Sequence, residues 1–372
     1  MDKFFYVANI RLPTERAHGI QIMEMCGAFA DAGLDVQLVV PRRHTSVKED
    51  AFVYHDVKKN FSVKRLWCID ATRFGRFGFF ILMMTFNKAM FFYMLKNRQA
   101  LFYTRDAFTA WWLNLFGRRV VWEGHMGHGG FFIRSIIRHG VKIVVITEGL
   151  RDLYVSLGAK ADQIIVAADG ADLKRFDIDL SKEAARKALG LPEDKAIILY
   201  KGSLEAWKGA GTLAESAEFM NTNDLLFVFI GGTPEDVTEF KKRFARMTNI
   251  SILGNRPRRE TPVYQKAADI LVIPNSAKED ISKLYTSPMK LFGYMAGGRP
   301  IIASDLPSLR EILSDDKAYF FIPDDARSLA RTIDTVLADT ENAREKAGRA
   351  LALAEEYSWQ KRAKKIIQFI HD

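Results

Sequence analysis

The sequence predicts an α/β protein made of two doubly wound domains, and three observations support this prediction. Short apolar runs with the composition of buried strands alternate with longer amphipathic stretches along the chain. Glycine-containing turns follow several of the apolar runs, as at the carboxyl ends of parallel strands. With 372 residues, the chain is too long for one ordinary domain and of suitable length for two.

The composition indicates a folded protein of a reducing compartment. Apolar residues make up 48% of the chain, which is enough for a sizeable core. The two cysteines, Cys26 and Cys68, exclude a disulfide scaffold. No cluster of cysteines and histidines has metal-ligand spacing, so no metal site is predicted. The apolar run at residues 4–9 is too short for a signal peptide, and we expect a cytoplasmic protein.

The positive charge is confined to the first half of the chain. Residues 1–168 contain 23 lysines and arginines against 14 acidic residues, whereas the remainder contains 31 of each. The whole net charge of +9 therefore lies in the first half, which predicts an anionic partner for that half. No recognised nucleic-acid-binding module is present, so we expect no nucleic acid.

Predicted strands and helices alternate along the chain. A strand at 4–9 precedes an amphipathic helix that ends at Gly33, with His18 and Gly19 in the loop before it. Residues 142–158 form a strand, a turn and a helix, and the polar stretch 177–195 forms a linker and a short helix. The remaining apolar runs predict strands at 36–40, 101–104, 120–122, 196–200, 225–230, 250–253, 270–273 and 301–303.

The stretch 282–313 contains the clearest local signals. Ser287 and Pro288 predict a helix start, with the serine hydroxyl as the cap and the proline in the first turn. Apolar side chains then recur at helical spacing up to Gly297 and Gly298, which predict the helix end. A helix N-terminus at the carboxyl end of a parallel sheet is where α/β proteins bind phosphate.

Residues 71–105 contain no acidic residue, six basic residues and many phenylalanines. One interpretation is a basic amphipathic segment, 71–98, that contacts an anionic membrane or a lipid-linked acceptor. The other is a core helix whose basic residues are solvated. The run 77–95 is long enough to cross a membrane, but Asn87 and Lys88 interrupt it. The sequence leaves the first two interpretations open.

The segment SPMKLFGYMAGGRPIIASDLP, with EIL shortly after it, resembles the donor-site signature of the family 4 glycosyltransferases. The resemblance implies the GT-B fold, with two Rossmann-like domains facing a cleft. It also implies retaining, metal-independent transfer of a sugar from a UDP- or GDP-sugar. Gly293 departs from the family, which has a glutamate there that holds the ribose hydroxyls. The first glutamate of the same family pair falls at Tyr285, so both carboxylates are absent; Glu279 or Asp280 could substitute.

The resemblance also assigns donor-site residues in the second half. The family motif G-[RS]-L-x3-K-G is matched at Gly202, Ser203 and Lys208, which implies contacts with the diphosphate. Ser287, Met289 and Lys290 would complete the phosphate site. Residues near the base and ribose would be Gly232, Arg256, Pro257 and Gly293, with Tyr264 on the next helix.

In the first half, the family's E-x-H pattern is matched by Glu123 and His125, just past the predicted strand 120–122. The resemblance implies that His125 contacts the transferring sugar or the diphosphate, while His128 has no counterpart. Gly19 corresponds to a glycine loop facing the donor phosphates; the alternative is a helix-initiating loop. Asp169, Gly170, Ala171 and Asp172 resemble the family's passage between the two domains.

These inferences combine into one expectation. Residues 1–168 form the acceptor domain, with a C-terminal helix at 358–372 packing back on it, and 169–357 form the donor domain. We expect a glycosyltransferase acting on a glycan or lipid-linked acceptor in envelope polysaccharide or glycolipid synthesis, at the inner face of the plasma membrane if 71–98 binds lipid. Two alternatives stay open: a catalytically weak or inactive GT-B protein acting as a scaffold, and an epimerase, for which no carboxylate motif is present.

Overall fold

The computed structural model describes residues 3–45, 47–220 and 223–372. The chain forms two compact units. Unit 1 comprises the residues up to Ala168 together with Trp359–Asp372, and unit 2 comprises Asp169–Ser358. Each unit is built around its own parallel sheet.

Unit 1 contains seven strands in its described part, with the order β3-β2-β1-β4-β5-β6-β7 and every neighbouring pair parallel. The strands are β1 (Lys3–Val7), β2 (Asp35–Pro41), β3 (Ser62–Leu66), β4 (Leu101–Thr104), β5 (Arg119–Gly124), β6 (Lys142–Val145) and β7 (Ile164–Val166). The helices are α1 (Ala17–Asp31), α2 (Ala51–His55), α3 (Gly75–Leu95), α4 (Ala107–Leu115), α5 (Phe131–Arg138) and α6 (Glu148–Ser156).

Unit 2 contains six strands within the described residues, in the order β10-β9-β8-β11-β12-β13, again all parallel. They are β8 (Ala196–Lys201), β9 (Leu225–Ile230), β10 (Ile250–Gly254), β11 (Ile270–Ile273), β12 (Ile301–Ser304) and β13 (Tyr319–Phe321). The helices are α7 (Leu173–Phe176), α8 (Lys182–Leu189), α9 (Ala210–Ser216), α10 (Pro234–Arg243), α11 (Thr261–Ala267), α12 (Asp280–Lys283), α13 (Met289–Ala296), α14 (Pro307–Arg310), α15 (Ala326–Ala338) and α16 (Thr340–Ala354).

The strand orders confirm the doubly wound α/β prediction. In each sheet the order reverses once, between β1 and β4 in unit 1 and between β8 and β11 in unit 2. At such a switch point the helices leave the sheet on opposite faces, which opens a crevice at the carboxyl ends of the strands. Among the candidate site residues, Gly202, Ser203 and Lys208 follow β8, one of the strands at the switch point of unit 2.

The last helix, α17 (Trp359–His371), belongs to unit 1 although unit 2 precedes it in the chain. It packs on α1, and its Trp359 is buried. Lys142 Nζ donates a hydrogen bond of 2.6 Å to the carbonyl of Phe369. The C-terminal residues therefore complete a unit formed mostly by the first 168.

Three local predictions were wrong. His18 and Gly19 do not lie in a loop before the first helix but in its first turn, because α1 begins at Ala17. The hydroxyl of Ser287 does not cap α13: the helix begins after Pro288, without a side-chain cap. Instead, Ser287 Oγ accepts a hydrogen bond of 3.1 Å from the backbone N–H of Asp169. Glu123 does not follow β5 but lies within it, because the strand continues to Gly124. Sheet pairing with β6 extends β5 beyond its apolar residues.

Helix α3 has one face that agrees with the core-helix interpretation of the segment 71–98, and its other face leaves the membrane interpretation as a prediction. One face is buried in unit 1, and the opposite face exposes phenylalanines, of which Phe77 is 70% exposed. Asn87, which appeared to interrupt the run, is buried and accepts a hydrogen bond of 3.4 Å from Thr109 in α4. The buried residues of α3 are Gly78, Leu82, Phe86, Asn87, Met90 and Met94.

By length and composition, one helix in the described residues could cross a membrane, Thr72–Leu95, with a mean hydropathy of 1.4. About a third of its apolar window is buried inside the protein. Core helices of soluble proteins also meet these two criteria of length and composition.

Candidate active site

A buried carboxylate, Glu123, lies at the centre of a hydrogen-bond cluster in unit 1. Its Oε1 accepts from Gln21 Nε2 at 2.6 Å and from an Arg362 Nη at 2.8 Å, while its Oε2 accepts from the Tyr103 hydroxyl at 2.5 Å. His125 Nε2 lies 2.8 Å from the same Oε1. The side chain of Glu123 has no exposed area. Four segments far apart in the chain thus meet at one carboxylate.

This carboxylate is ionised in the folded protein. Burial alone would raise the pKa of Glu123, but the Arg362 guanidinium and the hydrogen bond from His125 outweigh burial and hold the pKa well below its ordinary value. Arg362 also donates to the carbonyls of Ala167 and Ala168, at 3.1 and 3.0 Å, so its own position is fixed.

The ionised carboxylate determines the protonation of His125. Because Glu123 can only accept hydrogen bonds, His125 Nε2 must carry the proton, and Nδ1 keeps its lone pair. Burial, followed by the charge of Arg105, lowers the pKa of His125 to about 4. At neutral pH the imidazole is therefore neutral, and Nδ1 can accept a hydrogen bond from a hydroxyl.

The other predicted residues of unit 1 lie at or near this cluster with different roles. His18 is half-buried, and burial followed by Arg105 lowers its pKa to about 4. A Cβ on Gly19 would lie 2.3 Å from Thr14 Cγ2, so packing inside unit 1 accounts for the glycine. His128 is exposed.

In unit 2 the turn after β8 carries the predicted phosphate residues. The Tyr200 hydroxyl donates 2.6 Å to the carbonyl of Ser203, which fixes the turn, and Ser203 Oγ donates 2.8 Å to Glu205. A Cβ on Gly202 would approach the Tyr200 hydroxyl to 2.7 Å. Lys290 Nζ lies 4.4 Å from the centre of the Tyr200 ring. One aromatic side chain therefore positions both the glycine turn and the lysine.

Lys208 and Lys290 are two desolvated cations near each other. Burial lowers the pKa of Lys208 to about 8. Burial, followed by repulsion from Lys208, holds the pKa of Lys290 well below its ordinary value. Lys208 Nζ lies 3.5 Å from the Trp207 ring centre, and no described side chain accepts a hydrogen bond from the buried Lys290 Nζ. Both ammonium groups are held against aromatic rings.

Gly209 makes the approach of this turn to β11 possible. Its φ is +73°, and a Cβ there would lie 1.6 Å from the carbonyl oxygen of Pro274. Lys290 lies in the first turn of α13, and its Nζ is 3.6 Å from the position that a Cβ on Gly202 would occupy. The first N–H groups of the helix, including those of Met289 and Lys290, have no partner within the helix. Backbone donors and two lysines therefore lie in the same part of unit 2.

The position of the absent glutamate is enclosed. A Cβ on Gly293 would lie 3.1 Å from Phe176 Cζ and 3.8 Å from Gln265 Nε2. Tyr285 is half-buried, and both Glu279 and Asp280 are exposed. The structure gives no contact between either carboxylate and Gly293.

Two of the residues predicted near the base, Arg256 and Pro257, are exposed on the surface. Tyr264, on the next helix, is buried, with 6% of its area exposed. Gly232 follows β9 with φ of +85°. Lys201, the last residue of β8, was not singled out from the sequence. Burial lowers its pKa to about 8, and its Nζ donates a hydrogen bond of 2.5 Å to Thr261 Oγ1.

Sequence patterns missed the residues that organise each site. Arg362, Tyr103 and Gln21 hold Glu123, and Tyr200 and Trp207 hold the lysines. Arg362 is 239 positions from Glu123, so no local motif could connect them. In the described ranges, no group of three or more histidine, cysteine or acidic side chains could hold a metal ion.

The second half of the chain resembles a known protein family. Residues 181–353, most of unit 2, match the family described as glycosyl transferases group 1. A D-inositol 3-phosphate glycosyltransferase of Xylanimonas cellulosilytica is 27% identical over 233 residues, covering 58% of this chain and 53% of the relative. TuaC of Bacillus subtilis, whose name assigns it to teichuronic acid biosynthesis, is 25% identical over 224 residues, with 59% and 53% covered. The chain thus spans about half the length of these relatives.

The fold resembles solved structures along the whole chain. HepE of Anabaena, crystallised with UDP, has a TM-score of 0.77, with 99% of both chains covered at 13% identity. At this identity the likeness shows the fold alone, and it confirms the prediction of a GT-B protein with two Rossmann-like units.

We expect Arg362→Met to destabilise unit 1 by about 3–5 kcal/mol at pH 7, because it leaves the buried Glu123 carboxylate without its cation. Wild-type Glu123 has a depressed folded pKa, so its stabilisation is present above the unfolded pKa and is lost as the pH falls below it. The deficit of the variant should therefore shrink below about pH 4.5.

The measurement is urea unfolding followed by tryptophan fluorescence, since five of the six tryptophans lie in unit 1. The control is Glu123→Gln with Arg362→Met, which removes both charges and should recover part of the loss. Equal stability of wild type and Arg362→Met at pH 7 would contradict this account.

Proposed function

We propose that this protein is a retaining glycosyltransferase that moves a sugar from a UDP- or GDP-sugar to a glycan or lipid-linked acceptor. The observation that carries the proposal is the pair Lys208 and Lys290 in unit 2. The charged forms of these two neighbouring lysines have lost much of their hydration, and no described group accepts a hydrogen bond from Lys290 Nζ, so a dianionic ligand would stabilise them. A nucleotide sugar supplies such a group in its diphosphate.

The lysines contribute most when the sugar–oxygen bond breaks. Charge then develops on the departing diphosphate, and cations and N–H groups already in place stabilise it without rearranging. The N–H groups of the first turn of α13 and the turn at Gly202 and Ser203 would supply the hydrogen bonds. No step requires a metal ion in this scheme, since the lysines supply the positive charge.

His125 is proposed to orient the sugar through its unprotonated Nδ1 at neutral pH. Glu123 acts as a positioning residue, because its oxygens are already engaged by four side chains. A carboxylate enclosed in this way is not available as a nucleophile, which supports our preference against a double displacement through a glycosyl-enzyme.

The comparisons are consistent with this proposal. HepE has been crystallised with UDP-glucose as well as with UDP. The relatives named above carry the names of glycosyltransferases, and TuaC supports our assignment to envelope polysaccharide synthesis. We propose 169–357 as the donor domain and 1–168 as the acceptor domain.

The exposed face of α3 supports peripheral contact with an anionic membrane. Phe77 and Phe80 are 70% and 52% exposed on a helix whose segment has no acidic residue. Beside them, α3 and α4 form an apolar groove of about 440 Å³, with Lys88 in its lining. Binding to a membrane interface requires exposed apolar side chains that can insert into the lipid, together with basic charge that attracts anionic headgroups. We therefore place the enzyme in the cytoplasm, at the inner face of the plasma membrane.

We expect UDP or GDP, but not ADP, to bind the wild type, and Lys208→Met to weaken that binding by roughly 10–150-fold, the equivalent of one charge-assisted hydrogen bond. At about pH 8.5, binding should take up protons, because the diphosphate restores the charged form of a lysine whose pKa is near 8 in the free protein. Titration calorimetry in two buffers of different ionisation enthalpy measures both quantities.

The matched control is Lys242→Met, which removes an exposed lysine from the same unit. It should leave the affinity and the proton uptake unchanged. Unchanged affinity in Lys208→Met would remove the phosphate role of this lysine.

Gly293 motivates the alternative of a catalytically weak GT-B protein that acts as a scaffold. A carboxylate–hydroxyl hydrogen bond contributes roughly 1.5–3 kcal/mol, so two absent bonds weaken donor binding by about two to four decades. We expect the wild type nevertheless to bind UDP or GDP and Gly293→Glu to gain little, because Phe176 occupies the space beside residue 293.

Gly293→Gln is the control, since it meets Phe176 in the same way without adding charge. Nucleotide binding that appears in Gly293→Glu alone, and in neither the wild type nor Gly293→Gln, would favour the scaffold.

For the membrane contact, we expect the protein to float with vesicles that contain anionic lipid and the double variant Phe77→Ser, Phe80→Ser to remain largely in the soluble fraction. Ile322→Ser, which removes an exposed apolar side chain of unit 2, should float like the wild type. Failure of the wild type to float at low and at high salt would leave α3 as a core helix only.

A further inference from the structure

Arg105 is a half-buried cation that forms no ion pair with an acidic side chain among the described residues of the protein. It directly follows β4, which pairs with β1 on one side and with β5 on the other. Its guanidinium therefore lies at the carboxyl edge of the sheet, at the switch point where doubly wound folds bind ligands. Arg105 Nη1 donates a hydrogen bond of 2.8 Å to Gln21 Oε1.

The neighbouring amide fixes the guanidinium without neutralising it. Gln21 Nε2 must face Glu123, because an ionised carboxylate only accepts hydrogen bonds. The Oε1 of Gln21 therefore faces Arg105. One neutral acceptor leaves most of the five N–H donors of the guanidinium for water or a ligand.

The charges around Arg105 are otherwise balanced. The Glu123 carboxylate is already paired with Arg362 at 2.8 Å. Burial, followed by Arg105 as the largest charge effect, lowers the pKa of both His18 and His125 to about 4, so both imidazoles are neutral at pH 7. Two guanidinium charges, those of Arg362 and Arg105, act on the single Glu123 carboxylate, so this cluster of described residues carries one positive charge in excess.

We propose that Arg105, with His18 and His125 beside it, binds an oxyanion of the acceptor, so that the acceptor carries a phosphate or a carboxylate close to the hydroxyl that reacts. A guanidinium binds either group through two parallel hydrogen bonds. The designation as acceptor rests on the proposed function, in which the donor diphosphate has its own cations in unit 2. The excess of basic residues in 1–168 agrees with an acidic ligand for unit 1.

The histidines allow this site to be observed separately from the donor site. All seven histidines of the chain lie in unit 1, and unit 2 contains none. Imidazole NMR signals of the full chain, titrated with inorganic phosphate, therefore report on unit 1. We expect saturable shifts of the His18 and His125 signals and a rise of both pKa values, because the anion offsets the charge of Arg105. Glucuronate in place of phosphate distinguishes a carboxylate from a phosphate ligand, and glucose is the uncharged control.

Arg105→Met should weaken the binding of the effective anion at least roughly tenfold, whereas Arg105→Lys, which keeps the charge, should retain a weaker response. Arg76→Met removes an exposed charge of the same unit, and Lys208→Met removes the proposed donor cation; both should leave the shifts intact. Shifts that persist in Arg105→Met, that vanish in Lys208→Met, or that neither anion produces in the wild type would overturn the proposal.

The two proposals can fail separately. Wild-type protein that binds no nucleotide but shows the Arg105-dependent shifts would remove the proposed function and leave the anion site. Nucleotide binding without these shifts would remove the anion site at Arg105 and leave the proposed function.

Discussion

The ion pair between Glu123 and Arg362 connects the sheet of unit 1 to the last helix of the chain. Neither charge is exposed to solvent, so each is stable only while the other is in place. The pair fixes the end of β5, the position of α17 and the proton on His125. Formation of the hydrogen-bond cluster around Glu123 in unit 1 therefore depends on residues that follow the whole of unit 2.

The two units handle charge in opposite ways. Unit 1 has a buried carboxylate that is fully paired, and the cation beside it, Arg105, is oriented by a neutral amide. Unit 2 places Lys208 and Lys290 against aromatic rings rather than carboxylates. Arg105 follows β4 and Lys208 follows β8, and neither Arg105 nor Lys290 forms an ion pair with an acidic side chain among the described residues. Such cations lose hydration without gaining a counter-charge, and a bound anion would supply it.

The packing around Gly293 bears on why the chain has a glycine where the family has a glutamate. From the sequence, the glycine is a missing carboxylate in an otherwise matching motif. In the structure, the ring of Phe176 lies against it, and Gln265 is close by. The Phe176 ring fills the space that a side chain at position 293 would need, so the glycine fits the local packing.

Local patterns predicted most elements of the fold. Strands β4, β9 and β11 were predicted with the bounds that the structure has, because buried parallel strands are short apolar runs between turns. The end of α13 at Gly297 was also predicted, whereas its start was not, since Ser287 binds Asp169, 118 positions away, instead of the helix N-terminus. Asn87 looked like an interruption and is a buried hydrogen-bonding residue of a continuous helix.

By itself the sequence determined the α/β class, the alternation of elements, and the lysines and glycines of the donor-site motif. These follow from periodicity and from spacing within a few residues. The tertiary structure decided which side chains surround Glu123, the tautomer of His125, the aromatic supports of the lysines, and the unpaired charge of Arg105. Those properties depend on burial and on partners up to 239 positions apart, and desolvation in the folded chain, rather than residue type, sets the energy of a charge.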